Sequence, residues 1–316
     1  MLALLLVCLF VACKGDAKEG SAAQREASAS ANESGNTSTG FSGTAAYNYA
    51  KAQVDFGPRV PGSPAAKRAG DWIIQQMRAR ADTVIVQSFT HTTADGKKLN
   101  LRNILARFRP ELEERVLYVT HWDSRPVSES ATTAAEKKMP VPGANDGASG
   151  VGLFVALGDL LKKTKPNVGV DLLFTDGEDY GQFGPPEVDV LIGSKYFAAH
   201  PPSPGYKPLY GVLWDMIGDK DLRIPYEMNS FQQAPEVVSR VWQTAADLGY
   251  GDTFVQESGG AIIDDHIPLL NSGMRVIDVI DLDYPPHHTP QDTMDKISAK
   301  SLAKVGDVAA ALVTRK

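Results

Sequence analysis

Residues 172–181, LLFTDGEDYG, join a run of strand-forming residues to a cluster of acids. Residues 172–175 are typical of a buried β-strand, whereas Asp176, Glu178 and Asp179 follow it within four residues. Like charges this close repel each other, and their burial costs free energy unless a positive charge compensates them. The stretch therefore indicates a strand that delivers acidic side chains to a cation at its end.

Around this strand, strand-like and helical patterns alternate along the chain. Short apolar or alternating runs predict strands over residues 82–89, 101–108, 115–121, 170–175, 210–215 and 275–280. Apolar residues at helical spacing predict helices over residues 64–80, 150–161, 234–249 and 301–313. This alternation favours an α/β fold, a three-layer sandwich around a mostly parallel, mixed β-sheet.

The N-terminal region has the features of an export signal. Residues 1–12, MLALLLVCLFVA, form an apolar run that is too short to span a bilayer but typical of a signal peptide. The run ends in FVAC, which resembles a bacterial lipobox and predicts lipidation of Cys13. Residues 13–44 are rich in Ala, Ser, Gly and charge, so we expect a disordered tether there. We expect one folded domain over residues 45–316, exported to the periplasm or cell envelope and held at the membrane only by lipid.

The composition limits the classes of function. The chain has 316 residues, of which 43% are hydrophobic and 22% charged, as in ordinary globular proteins. Its net charge of -6 argues against nucleic acid as a partner, since that would need clustered basic residues. Both cysteines lie near the start, so acylation of Cys13 would leave neither a thiol nucleophile nor a cysteine metal site. We expect a monomer.

Several apolar segments end with side chains that can bind metal. These side chains are His121, Asp123, Asp146, Glu178, Asp179, Asp215, His287 and His288. The carboxyl ends of parallel strands meet at one edge of a sheet, where ligands bind, so we expect these groups to lie together. Imidazole and carboxylate ligands without cysteine are typical of catalytic zinc.

The order of the local motifs resembles a known family. The motifs are HWDS, GANDGASG, DGEDYG, GSKYFA, LWDMIG, DDHIPLL and HTPQDT. Over residues 46–316 they are similar to the M28 zinc peptidase superfamily, and DDHIP is similar to its glutaminyl-peptide cyclotransferase branch in a bacterial lipoprotein form. The resemblance implies a zinc-exopeptidase fold and peptide or protein N-termini as substrates.

The resemblance also implies a set of metal ligands. Asp146, Asp179 and His288 match the ligands of one zinc ion, while His121 and Asp215 match the positions that hold a second zinc ion in dinuclear aminopeptidases. One zinc ion is therefore expected for a cyclase and two for an aminopeptidase. Asp179 departs from the family, because most members carry Glu at that ligand position.

Catalytic and substrate-binding residues follow from the same resemblance. Glu178 matches the catalytic glutamate, and Asp215 and Asp264 match carboxylates of the active-site hydrogen-bond network. We assign the substrate pocket to Phe183, Trp214, Ile267, Tyr284 and His287. We expect Asp123 to orient the ring of His121 by a hydrogen bond. We expect Asp292 and Thr293 to do the same for His288.

Three functions remain open from the sequence. The first is a zinc-dependent cyclase that converts N-terminal glutamine to pyroglutamate and releases ammonia. The second is an M28-type zinc aminopeptidase that removes N-terminal residues. The third is a non-catalytic binding lipoprotein, which the intact ligand set and Glu178 disfavour.

Overall fold

The computed structural model of the chain describes residues 39–315. The predicted signal peptide, Cys13 and most of the predicted tether therefore lie outside the described residues. The folded unit includes residues ahead of the boundary expected at residue 45. Thr39 Oγ1 donates to Asp307 Oδ1 at 2.5 Å, and the ring of Phe41 lies so close to Gly306 that a Cβ there would be 2.0 Å away.

One mixed sheet forms the centre of the fold. Within residues 39–315 the strands are β1 (Thr83–Thr92), β2 (Lys98–Phe108), β3 (Arg115–His121), β4 (Gly169–Thr175), β5 (Tyr210–Asp215), β6 (Ile224–Tyr226), β7 (Phe254–Ser258) and β8 (Val276–Ile280). The main sheet has the order β1-β2-β4-β3-β5-β8, and β6 pairs with β7 separately. Strands β4, β3, β5 and β8 are parallel, whereas β1 and β2 pair antiparallel.

Helices cover both faces of this sheet. They are α1 (Gly43–Val54), α2 (Pro64–Arg78), α3 (Ala148–Lys163), α4 (Ile192–Ala199), α5 (Met228–Gln233), α6 (Pro235–Asp247), α7 (His266–Asn271) and α8 (Ala299–Thr314), with a 3-10 turn at Glu136–Lys138. Helices α1, α2, α3, α6 and α8 share one core, and α4 and α7 share the other. Within the described part of the chain, no helix combines the length and apolar character needed to cross a membrane.

The alternation of side chains along β3 shows why the sheet separates two cores. Val116 and Tyr118 point into the larger core, and Leu117 and Val119 into the smaller one. Successive residues of a strand face opposite sides, so a strand buried on both faces is apolar throughout. The predicted three-layer α/β fold and the predicted core strands are confirmed.

The register of the parallel strands brings their carboxyl ends to one edge. His121 lies opposite Thr175, and Asp215 lies opposite Ile280. Helix α3 packs closely behind this edge at Gly150, where a Cβ would lie 1.9 Å from Thr120 Oγ1. The side chains that follow these strand ends therefore project into a common region.

A buried ion cluster holds the other end of the strands. Asp171 in β4 is fully buried, and it accepts hydrogen bonds from Arg115 Nε at 2.8 Å and Arg107 Nε at 3.0 Å. Tyr206 donates a further hydrogen bond to Asp171 from its hydroxyl at 2.8 Å. The carboxylate therefore ties β2, β3 and the chain before β5 together.

Asp171→Ala should lower the free energy of unfolding by about 3–5 kcal/mol, because it leaves the Arg115 charge buried without a partner. Urea unfolding monitored by circular dichroism measures this loss. Asp55→Ala is the matched control, since the Asp55–Lys51 pair is exposed and such pairs add little stability. Equal midpoints for the two variants would contradict a structural role for the buried cluster.

Candidate functional site

The carboxyl edge of the sheet gathers buried histidine and carboxylate side chains from separate segments. His121 ends β3 and Asp215 ends β5, whereas Glu178 and Asp179 follow β4. Asp146, Asp264 and His288 come from loops next to α3, α7 and β8. All of these side chains are buried. The structure therefore brings together every residue that the sequence assigns to metal binding or catalysis.

Gly147 allows the loop before α3 to approach the strand end. Its φ is +88°, a left-handed value that favours glycine. A Cβ at this position would lie 2.7 Å from the Asp123 carbonyl oxygen and 3.1 Å from His121 Cε1. The NDG turn thus places Asp146 directly against His121.

His121 lies among four carboxylates. Its Nε2 is 3.0 Å from Asp146 Oδ1 and 3.2 Å from Asp215 Oδ1. Its Nδ1 lies 3.4 Å from Asp123 Oδ1 and 3.7 Å from Glu178 Oε2. The expected orienting partner of His121, Asp123, is therefore beside its ring.

His288 approaches the same site from the loop after β8. Its Nε2 is 3.4 Å from Asp179 Oδ1 and 3.7 Å from Asp146 Oδ2. The backbone of His288 has φ +53°, which is sparsely populated by residues other than glycine. Asp146 therefore faces both histidines and links the two predicted ligand sets.

The donor atoms fit a zinc ion. Ligand atoms of Asp146, His287 and His288 lie within 4.8 Å of one another, and so do those of His121, Asp146 and Asp215. Asp146 Oδ2, Asp179 Oδ2 and both ring nitrogens of His121 are buried without a hydrogen-bond partner. Unpaired buried polar atoms are uncommon, and carboxylate oxygens and imidazole nitrogens are ligands of catalytic zinc. His287 joins a candidate ligand group, although the sequence assigns it to the substrate pocket.

Burial and mutual proximity shift the pKa values of the carboxyl groups at this site. Burial, with the nearby Asp264 and Asp179 charges, raises the pKa of Glu178 well above its usual range. Burial and the charge of Asp146 raise the pKa of Asp179 to about 7. Burial would raise the pKa of Asp146 as well, but the nearby rings of His121, His288 and His287 together outweigh it and lower that pKa. A cation would favour the ionised form of each carboxyl group.

Asp123 fixes the turn after β4. Its two carboxylate oxygens accept the backbone N–H groups of Glu178 and Asp179, each at 3.2 Å. Asp176 instead turns away from the cluster, and its Oδ2 accepts the backbone N–H of Arg102 at 2.9 Å. The stretch after β4 thus sends Glu178 and Asp179 into the site and uses Asp176 to hold β2.

Asp292 supports Asp146, and the expectation that it orients His288 is wrong. Its carboxylate accepts the backbone N–H of Asn145 at 2.9 Å and that of Asp146 at 3.2 Å. Thr293 donates from its hydroxyl to Gln291 O at 3.1 Å. Neither side chain therefore orients His288, because both are engaged by neighbouring backbone groups.

Glu129 is the side chain that orients His288, and the sequence reading missed it. Glu129 Oε1 lies 2.7 Å from His288 Nδ1. Arg125 Nε donates to Glu129 Oε2 at 2.7 Å, and Arg125 Nη1 donates to Asp179 Oδ1 at 2.5 Å. Arg125 thus supports two predicted zinc ligands: it contacts Asp179 directly, and it contacts His288 through Glu129. The signal in the sequence that could have indicated this contact is the Arg-x-x-x-Glu spacing of Arg125 and Glu129 directly after HWDS.

A cavity of about 330 Å³ opens beside these groups. Glu178 and Asp264 line it together with the predicted pocket residues Phe183 and His287. Its apolar walls, which the sequence reading missed, come mainly from Met216, Ile262, Ile263, Ile280 and Leu282. The cavity therefore combines two carboxyl groups with an apolar wall next to the candidate metal site.

Three residues assigned to the substrate pocket do not line this cavity. Trp214 is 0% exposed and packs edge-on against Tyr118 with ring centroids 5.5 Å apart, since the strand alternation turns it into the core. Tyr284 is buried and donates to Asp292 Oδ1 at 2.7 Å. Ile267 is absent from the cavity lining. Trp214 and Tyr284 are therefore engaged within the fold and not in substrate contact, whereas the assignment of Ile267 stays a prediction.

Comparison with known proteins identifies the family of the chain. The model of Peptidase family M28 matches residues 103–313. A glutaminyl cyclase structure from Porphyromonas gingivalis is 38% identical, with a TM-score of 0.83, over 86% of this chain and 97% of that chain. Bovine glutaminyl-peptide cyclotransferase is 27% identical over 78% of this chain and 76% of its own length. Aminopeptidase YwaD of Bacillus subtilis is 23% identical over 84% of this chain and 55% of its own length. The match over most of the described chain confirms the expected resemblance, and the chain belongs to peptidase family M28.

Proposed function

We propose that this chain is a zinc-dependent glutaminyl-peptide cyclotransferase, which converts the N-terminal glutamine of peptides to pyroglutamate with release of ammonia. The observation that carries this proposal is the pairing of Glu178 and Asp264 in one apolar-walled cavity beside the candidate zinc ligands. The similarity to the glutaminyl cyclase of P. gingivalis supports it. We further propose that the chain is exported and anchored through Cys13.

Asp146, Asp179 and His288 would hold one zinc ion. When bound, this ion supplies Lewis-acid polarisation of the substrate's side-chain amide carbonyl. The side chains of the cavity would bind the substrate and transfer its proton. Its apolar wall of Phe183 and Ile262 would exclude water, so the substrate's own amine becomes the nucleophile.

Glu178 would carry the proton. As the α-amine nitrogen forms a bond to the side-chain amide carbon, Glu178 takes a proton from that amine. The bond between this carbon and the amide nitrogen then breaks, and Glu178 returns the proton to the departing ammonia. Burial raises the pKa of Glu178 well above its usual range, which suits a group that must both accept and donate a proton.

Asp264 and Asp215 would bind the α-amine and the tetrahedral centre. Both carboxyl groups line the cavity with Glu178. Burial, with the charge of Asp215, raises the pKa of Asp264 well above its usual range. This shift favours the protonated form of Asp264, in which its carboxyl group would offer a hydrogen-bond donor. Asp215 Oδ1 accepts the backbone N–H of Met216 at 2.8 Å.

The runner-up function is an aminopeptidase, and one observation favours it. His121, Asp146 and Asp215 bring ligand atoms within 4.8 Å, as a second metal ion would require. The similarity to aminopeptidase YwaD points the same way. In that reaction Glu178 would take its proton from a water molecule that attacks the first peptide bond.

Three substrates separate these functions. We expect purified protein to release ammonia from a Gln-Ala peptide and to leave its peptide bond intact. The matched control is a Leu-Ala peptide, which lacks the side-chain amide and should remain unchanged. Release of arylamine from an unblocked leucine arylamide would contradict the cyclase and support the aminopeptidase.

Glu178→Gln should lower kcat by about 100- to 10,000-fold, because the proton carrier is lost while the shape is kept. The variant should still bind the same amount of zinc per chain, since Glu178 is not assigned as a ligand. Ammonia release and elemental analysis measure the two quantities. Turnover close to that of the unmodified chain would show that another group carries the proton.

Glu129→Ala should weaken zinc binding by about 10- to 100-fold, because His288 loses the partner of its Nδ1. Competition with a chelator measures this affinity. Glu136→Ala is the matched control, since Glu136 is an exposed acid nearby that bonds Thr133 instead. If both variants bind zinc as tightly as the unmodified chain, Glu129 has no part in holding His288.

A further inference from the structure

A second, smaller cavity lies directly beside the catalytic one. It has a volume of about 190 Å³. Ile262, Ile280 and Leu282 line both cavities, so these three side chains form a shared wall. A peptide whose first residue occupies the catalytic cavity can therefore extend across this wall into the second one.

The second cavity contains an unsatisfied acid. Asp281 is 1% exposed and lines the cavity. Its Oδ2 accepts the backbone N–H of Arg223 at 2.9 Å, but its Oδ1 has no hydrogen-bond partner. Burial, with the charges of Asp219 and Asp283, raises the pKa of Asp281 to about 7. A donor or a positive charge in the cavity would supply the missing interaction.

The rest of the lining leaves this cavity acidic. Asp283, two residues after Asp281, lines it from an exposed position. Arg223 also lines it, but its guanidinium is paired with Glu257 at 2.5 Å. Glu227 is fully engaged, since its oxygens accept the N–H groups of Ile262 at 2.9 Å and Ser230 at 2.6 Å. Three carboxyl groups, those of Glu227, Asp281 and Asp283, therefore line the cavity against one guanidinium, that of Arg223, whose charge also acts on Asp281 and Asp283.

We propose that the second cavity binds a lysine or arginine side chain of the substrate, at one of the two positions that follow its N-terminal residue. The proposal rests on the proposed function, because it needs a peptide N-terminus in the catalytic cavity. An extended peptide advances about 3.3 Å per residue, so a long basic side chain near the N-terminus can cross the shared wall. Its cationic head then donates to Asp281 and faces Asp283.

Matched peptides test this subsite. The values of kcat/KM are compared for Gln-Lys-Ala-Ala, Gln-Ala-Lys-Ala, Gln-Glu-Ala-Ala and Gln-Ala-Glu-Ala. We expect one lysine peptide to exceed its glutamate counterpart by about threefold to tenfold, a size typical of partly exposed charge pairs. Equal values, or a preference for glutamate at both positions, would overturn the proposal.

Asp283→Asn should reduce the ratio of kcat/KM for the preferred lysine peptide to kcat/KM for its glutamate counterpart toward one. The ratio is taken within each variant, so a general loss of enzyme stability cancels. Glu113→Gln is the matched control: it removes one charge from the exposed loop before β3, at the opposite edge of the sheet, and should keep the ratio. An unchanged ratio in Asp283→Asn would also overturn the proposal.

Measuring products separates this result from the proposed function. Ammonia release reports cyclisation, whereas free N-terminal glutamine reports peptide cleavage. If the chain cleaves peptides, the same ratio is read from glutamine release, and the subsite stands although the cyclase fails. If cyclisation occurs without a preference for lysine, the cyclase stands and the subsite fails.

Discussion

The concentration of buried negative charge at the carboxyl edge of the sheet is the constraint on which the site depends. Asp146, Glu178, Asp179 and Asp264 are all buried there, and the imidazole of His121 lies among them. Burial alone opposes ionisation of such carboxyl groups. The backbone around them must therefore be held firmly, and a metal ion suits the remaining unpaired donor atoms.

That backbone is held by acids that do not themselves face the cavity. Asp123 binds the two N–H groups after β4, and Asp292 binds the two before Gly147. Each carboxylate thereby fixes a turn that presents a candidate ligand. Glu129 does the same for an imidazole, by contact with His288 Nδ1. Second-sphere contacts of this kind set the orientation of ligands and the affinity for metal.

The two candidate reactions differ in what the surroundings of Glu178 allow. The wall formed by Ile262, Ile263 and Phe183 places apolar surface beside Glu178, which suits the proposed cyclase reaction, in which the substrate supplies its own nucleophile. The second ligand set, through His121 and Asp215, favours a water-activating pair of metal ions. Both proposed reactions assign the proton transfer to Glu178, so the peptide products distinguish the two functions and the fold does not.

The sequence by itself determined the six strands of the main sheet, their mostly parallel arrangement and the residues that follow each strand end. These are encoded locally, since apolar periodicity is repeated within each element. Five segments that lie apart along the chain were therefore predicted to form one site. The register of the sheet brings them together.

Only the tertiary structure decided which side chain touches which. Glu129 meets His288 across 159 positions of sequence, and no local pattern records that contact. Trp214, one residue before Asp215, faces the core because neighbouring strand residues point to opposite sides. Periodicity assigns a face within a strand, but beyond the strand end the direction of a side chain depends on packing between distant segments.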